Sequence, residues 1–217
     1  MAIDLYWGSG SPYCWRVLLA LHHKRLPYRS HLLKLDQQEH QAPQMLAMNP
    51  RGRLPVLRDG DYVVFESLGV LYYLDRKYPD PPIFGRSAEE GGVIMRVICE
   101  YQAYAEPSLM QIVRNMIDRR EPVMGAELAE TMAEAMHCVA REARTIERRL
   151  AQSDWVVGEG ISAADMVIYP DIRLLLRALA QPAARELAAR FLPLEINHPA
   201  LARWLERIAL LTPDIGV

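Results

Sequence analysis

Ten residues split this chain into two sequences with different hydrophobic periods. Pro79-Asp80-Pro81-Pro82-Ile83-Phe84-Gly85-Arg86-Ser87-Ala88 carries three prolines, and such a segment continues neither a helix nor a central strand. Before it, β-favouring runs alternate with helical spacing; after it, only helical spacing remains. The change predicts an α/β domain at residues 1–80, a linker at 81–88 and an all-helical bundle of about 130 residues at 89–217.

The first part reads β-α-β-α-β-β-α. Ile3 to Trp7 is a short strand closed by the breaker cluster Gly8-Ser9-Gly10. A helix follows over Pro12 to Lys24, with Ser11 suited to its N-cap and Pro12 to its first position, where a missing N–H costs nothing. Tyr28 to Leu35 reads as a second strand and Pro43 to Met48 as a brief helix. Val56-Leu57 and Tyr62 to Phe65 flank Asp59-Gly60-Asp61, a hairpin signal. Leu68, Leu71, Tyr72 and Leu74 to Tyr78 return to helical spacing, so the sheet is expected to be mixed.

In the second part Val93, Val97 and Tyr101 share a helical face, and Pro107 is placed to kink or end that helix. Leu128, Met132, Ala135, Val139, Ile146 and Leu150 mark a long amphipathic helix, and Leu201, Trp204, Leu205 and Ile208 a terminal one. Ser162-Ala163-Ala164-Asp165 has the form of a capping box, with Ile161 and Met166 at the positions of a hydrophobic staple.

Charge and cysteine count exclude several classes of function. Lys and Arg number 25 against 27 Asp and Glu, which supplies no basic stripe for a nucleic acid. No apolar run approaches the ~20 residues of a membrane span and the start lacks a signal peptide's pattern, so a cytoplasmic protein with no membrane partner is expected. Cys14, Cys99 and Cys138 are odd in number and follow no metal-ligand spacing, which argues against a disulfide framework and against a metal.

Three short motifs carry chemistry, each at the border of a predicted strand and helix. In Ser9-Gly10-Ser11-Pro12-Tyr13-Cys14-Trp15-Arg16, a hydroxyl stands where a helix start favours an anion. Ser-Pro-Tyr-Cys has the outline of a thioredoxin-like active-site turn with its first cysteine replaced by serine, which removes the redox dithiol. Ser11 either caps the helix or also stabilises a thiol brought by a ligand. In Asn49-Pro50-Arg51-Gly52-Arg53-Leu54-Pro55-Val56, Pro55 either begins an edge strand in trans or, in cis, turns the backbone of Leu54 outward to hold an extended peptide. Glu66-Ser67 offers a second N-cap candidate, Ser67, beside a carboxylate, which suits an incoming ammonium and carboxylate.

Taken together, these motifs, the linker after Tyr78-Pro79 and the capping box followed by Tyr169-Pro170 resemble the cytosolic glutathione transferase family over nearly the whole chain. The resemblance implies a thioredoxin-like first domain, a cis Pro55, glutathione as co-substrate and assembly as a homodimer. Ser11 matches the serine that hydrogen-bonds the glutathione sulfur in the theta, delta and zeta-like classes. By the same resemblance, Leu54 pairs its backbone with the cysteinyl part, Glu66 and Ser67 take the γ-glutamyl amine and carboxylate, and His40 and Arg53 stand near the glycyl carboxylate. His40 as a plain solvent-facing residue stays open, and Arg53 has the stronger electrostatic case because its charge is independent of pH.

The implied activity is a transferase whose thiolate attacks a small hydrophobic electrophile in a pocket between the domains, lined by Tyr104, Met110 and Arg114. A thiol of pKa ~8.5 is only ~3% ionised at pH 7, and lowering it by ~2 units raises that fraction about 25-fold. Three alternatives accompany this reading. One is a glutathione-dependent isomerase of the maleylacetoacetate type, one is a thioltransferase using Cys14, and one is a non-catalytic interaction protein on the same fold.

Overall fold

The computed structural model describes residues 3–118 and 125–212. One compact unit runs to Arg86 and a second from Ser87 to Leu211.

In the first unit β1 (Ile3–Trp7), α1 (Pro12–His23) and β2 (Tyr28–Leu32) are followed by a 3₁₀ turn at Glu39–Gln41 and by α2 (Pro43–Met48). After them come β3 (Val56–Asp59), β4 (Tyr62–Phe65) and α3 (Ser67–Lys77). The sheet order is β2-β1-β3-β4, with β1 parallel to β2 and the other two pairings antiparallel. This is the expected thioredoxin-like order. Side chains alternate across each strand, so Ile3 and Leu5 are buried on one face while Asp4 and Tyr6 point to the other. α1 packs on α3, burying Val17, Leu18 and Leu21 together with Val70, Leu71 and Leu74.

On the other face Asp4, 2% exposed, gathers Arg29 at 2.8 Å, His31 at 2.8 Å and Arg58 at 3.1 Å, and Tyr6 stacks on His31. Burial alone would raise the Asp4 carboxyl, but the hydrogen bonds from His31, Arg29 and Arg58 win and bring it down to about 2.

The second strand is shorter than its sequence suggests. Leu32 pairs with Trp7, the last residue of β1, and the Leu33 N–H makes one further bond to the Trp7 carbonyl at 2.8 Å. Beyond that point β1 has turned away at Gly8, and Leu33 to Leu35 have no strand to join.

The proline-rich segment is fastened to the first unit by one buried cation. Lys24 Nζ lies 3.3 Å from Asp75 Oδ1 and donates to the carbonyls of Tyr78 and Pro81, each at 2.7 Å. Asp75 also accepts the Ile83 N–H at 2.8 Å. Every polar group brought inside here has a partner, as a buried pair requires.

The second unit is helical among its described residues: α4 (Ala88–Tyr104), α5 (Glu106–Val113), α6 (Ala126–Leu150), α7 (Ala163–Leu179), α8 (Arg185–Ala188), α9 (Leu194–Asn197) and α10 (Pro199–Leu211). Pro107 ends α4 and stands in the first turn of α5, and a π-helical turn at Arg114–Asp118 extends α5. α7 is the central element, with 14 of its 17 residues buried.

The capping box forms as read, since Asp165 accepts the Ser162 N–H at 2.9 Å and the Ser162 hydroxyl at 2.7 Å. The same carboxylate accepts the Val156 N–H at 3.0 Å and Trp204 Nε1 at 2.8 Å, so a local cap also ties α7 to α10. Glu147 of α6 performs the corresponding service for α10, accepting the N–H groups of Ala200 and Leu201 at 2.9 and 2.8 Å. None of the described helices is long and apolar enough to cross a membrane.

Candidate active site

Strand register decides which motifs meet. Tyr6 of β1 pairs with Val56 of β3, and Val56 pairs with Phe65 of β4, in two antiparallel ladders. The end of β1, the start of β3 and the end of β4 therefore lie side by side. Ser11, Leu54-Pro55 and Glu66-Ser67, far apart in sequence, all belong to segments that enter or leave the sheet at this end. β2, parallel to β1, ends there as well, and its continuation carries His40. Gln41, beside His40, donates from Nε2 to the Gly52 carbonyl at 2.9 Å and so joins the His40 turn to the loop holding Arg53.

Ser11 occupies the N-cap of α1 at φ −86°, ψ 116°, and its Oγ accepts the Cys14 N–H at 3.4 Å. It is half-buried, with Pro12 directly after it at the helix start. Cys14 is fully buried, and its sulfur accepts the Gly8 N–H at 3.4 Å. Burial pushes the thiol up against the opposing hydrogen bonds of Ser11 and Gly8. This counts against the alternative of a thioltransferase using Cys14. Disulfide exchange needs an accessible thiolate, and Cys14 offers neither property.

The Leu54-Pro55 peptide is cis, as the family likeness implies. No hydrogen bond among the described residues uses the backbone N–H or C=O of Leu54. Buried or semi-buried peptide groups are nearly always paired, so this half-buried peptide is ready for a partner from outside the fold.

α3 begins differently from its sequence reading. Ser67 is the first helical residue rather than the cap, and Glu66 stands at the N-cap position with φ 65°, ψ 114°. A positive φ in a residue other than glycine costs ~1–3 kcal/mol and concentrates at functional sites. Neither side chain caps the helix, whose first internal bond runs from the Val70 N–H to the Glu66 carbonyl at 2.9 Å. The earlier N–H groups and the Ser67 hydroxyl make no hydrogen bond among the described residues, as the open start of a helix does.

Arg53 is exposed and has no ion pair among the described residues. His40 is half-buried, with Nδ1 enclosed and without a hydrogen-bond partner among the described residues. The three residues expected to line an electrophile pocket differ in setting. Tyr104 is 60% exposed at the end of α4, Arg114 is exposed at the π turn, and Met110 is 7% exposed in the interior of the helical unit.

One end of a thioredoxin-like sheet thus presents a hydroxyl, an open peptide and an uncapped helix start, and a helical unit follows it in the chain. Comparison with known proteins gives the family. The profile described as "Glutathione S-transferase, N-terminal domain" matches residues 5–82, and that described as "Glutathione S-transferase, C-terminal domain" matches residues 129–207. A glutathione S-transferase A from Pleuronectes platessa is 29% identical over 215 residues, covering 93% of this chain and 91% of that protein. A maleylacetoacetate isomerase from Pseudomonas aeruginosa is 28% identical over 179 residues, covering 79% and 80%. The crystal structure of a glutathione S-transferase from the Antarctic clam Laternula elliptica superposes with a TM-score of 0.81 at 25% identity, over 98% of this chain and 91% of that one. The chain belongs to the glutathione S-transferase family.

Proposed function

We propose that the protein is a glutathione transferase in which Ser11 stabilises the glutathione thiolate for attack on a small hydrophobic electrophile. The observation that carries this reading is the convergence, at one end of the sheet, of Ser11, the unpaired Leu54 peptide and the uncapped start of α3.

In this reading the first unit binds glutathione. Leu54 pairs with the cysteinyl backbone, Glu66 and Ser67 take the γ-glutamyl amine and carboxylate, and Arg53 and His40 attract the glycyl carboxylate. The Ser11 oxygen accepts the Cys14 N–H, which leaves its hydroxyl proton free to turn to the incoming sulfur, and a thiolate is a strong acceptor for it. The sulfur's own proton passes to solvent, and the thiolate forms a C–S bond as the leaving group departs. The second unit selects the electrophile, with Tyr104 and Arg114 as its exposed contacts and Met110 shaping the helix beneath them. Tyr62 on β4 and Tyr72 on α3, 53% and 56% exposed, form apolar surface that a second copy would cover, in keeping with a cytoplasmic homodimer.

Replacing Ser11 with Ala tests the assignment. A hydrogen bond to a charged group contributes ~1.5–3 kcal/mol, so turnover of an aryl halide should fall about 10- to 100-fold and the bound thiol should titrate at higher pH by ultraviolet absorbance. Unchanged turnover, with glutathione still bound, would overturn the role given to Ser11.

A further inference from the structure

We infer that Asn49 is a positioning residue that sets the plane of the Arg53–Leu54 peptide and thereby aims the Leu54 N–H at the ligand. The inference rests on the glutathione-binding reading and extends it to a residue to which sequence analysis gave no role of its own.

Asn49 terminates α2, where its N–H bonds the Met45 carbonyl at 2.8 Å, and it is only 2% exposed. It then holds the following loop at three points. Its backbone carbonyl accepts the Gly52 N–H at 2.9 Å, its Oδ1 accepts the Arg51 N–H at 3.1 Å and its Nδ2 donates to the Arg53 carbonyl at 2.8 Å. Gly52 is fixed from the other side as well. Its φ is +55°, Gln41 donates to its carbonyl, and a Cβ there would meet the Gln41 amide at 2.5 Å. The loop is consequently bound along its length, and Leu54 is the residue whose backbone is left open.

Peptide planarity carries the argument from Asn49 to the site. The Arg53 carbonyl and the Leu54 N–H belong to one rigid unit, and in a trans peptide they point in opposite directions. Fixing the oxygen inward on a buried side chain fixes the N–H outward. Without the Nδ2 donor, this peptide can rotate through its flanking ψ and φ angles. A ligand must then order it on binding, which lowers affinity through entropy rather than through any contact that Asn49 makes itself.

Asn49→Asp is the discriminating variant, because it preserves shape and the acceptor for Arg51 but removes the donor to Arg53. Asn49→Ala removes both, and a thermal melt confirms that each variant is folded. Calorimetry with glutathione should show the dissociation constant rising about 3- to 10-fold in both variants, the size of one hydrogen bond. The turnover number at saturating glutathione should change little, since the lost interaction serves ground and transition states alike.

Amide exchange by NMR supplies the readout that a merely structural role would not move. At saturating glutathione, exchange should slow at Leu54 and Leu68 in the wild type, and in Asn49→Asp the slowing at Leu54 should be about 3- to 10-fold smaller while that at Leu68 is unchanged. Undiminished protection of Leu54 and unchanged affinity in Asn49→Asp would overturn the inference while leaving the site intact. Absence of any glutathione effect on Leu54 in the wild type would instead overturn the underlying reading of Leu54.

Discussion

At the scale of single residues, the two sulfur-relevant side chains of the first turn of α1 divide the labour between surface and interior. Ser11 is half-buried at the sheet end, whereas Cys14 is sealed beneath it with its sulfur on the Gly8 N–H. A raised, inaccessible thiol should resist modification. Titration of the native protein with an aromatic disulfide reagent should label Cys99, which is exposed, well before Cys14, which should react only on unfolding. Rapid labelling of Cys14 in the folded enzyme would contradict the burial described here.

The residues of the candidate site could be singled out in the sequence because each sits in a short motif with a local cause: a serine before a proline, a proline after a flexible loop, a serine at the end of a strand. What was not readable is the conformation of Glu66, because its positive φ is imposed by tertiary structure on a residue that would not choose it. The role of Asn49 was hidden for the same reason. Its three bonds are to backbone groups, whose positions no side-chain pattern reports.

At the scale of elements, helix ends matter more to this molecule than helix interiors. Asp165 serves four donors, two within its own capping box and two from Val156 and Trp204. Replacing it with Ala strands those donors inside the second unit, and the loss should be at least ~3 kcal/mol in a urea unfolding experiment. A loss below ~1 kcal/mol, the size of an ordinary exposed cap, would show that the links to Val156 and Trp204 contribute little.

The long elements were legible because their apolar spacing repeats over several turns, and α2 and β4 begin and end where the sequence places them. α8 and α9, four residues each, and the π turn after α5 were not, since a single turn contains too few residues to show a period. The second strand was read three residues too long, because its end is set by the departure of its neighbour β1 and not by its own residues.

At the scale of the whole molecule, half-buried His23 and buried His198 tie stability to pH. Burial, with Lys24, His22 and Arg25 nearby, lowers the pKa of His23 to about 4, and burial also lowers that of His198 despite the nearby Glu147. Both are therefore neutral in the folded protein at pH values where the unfolded chain, with histidine pKa ~6.5, takes up protons. Stability is fully present above ~6.5 and is lost as pH falls toward ~4; Asp4, held at about 2, adds a further loss only below its ordinary range. Urea midpoints measured between about pH 7.5 and about pH 4.5 should fall steadily. A flat profile would mean that these histidines are as accessible to protons in the folded state as in the unfolded one.

The hairpin between β3 and β4 gives the sheet a working end and an idle one. Its turn at Gly60, with φ +64° and nothing within 4 Å of where a Cβ would stand, lies at the opposite end of both strands from Leu54 and Glu66. For protein engineering this is a natural insertion port. A reporter peptide spliced in at Gly60 would hang from the far rim of the sheet, beside the Tyr62 surface proposed for a second copy, so it would report on assembly while the strands leading to Leu54 and Glu66 keep their pairing.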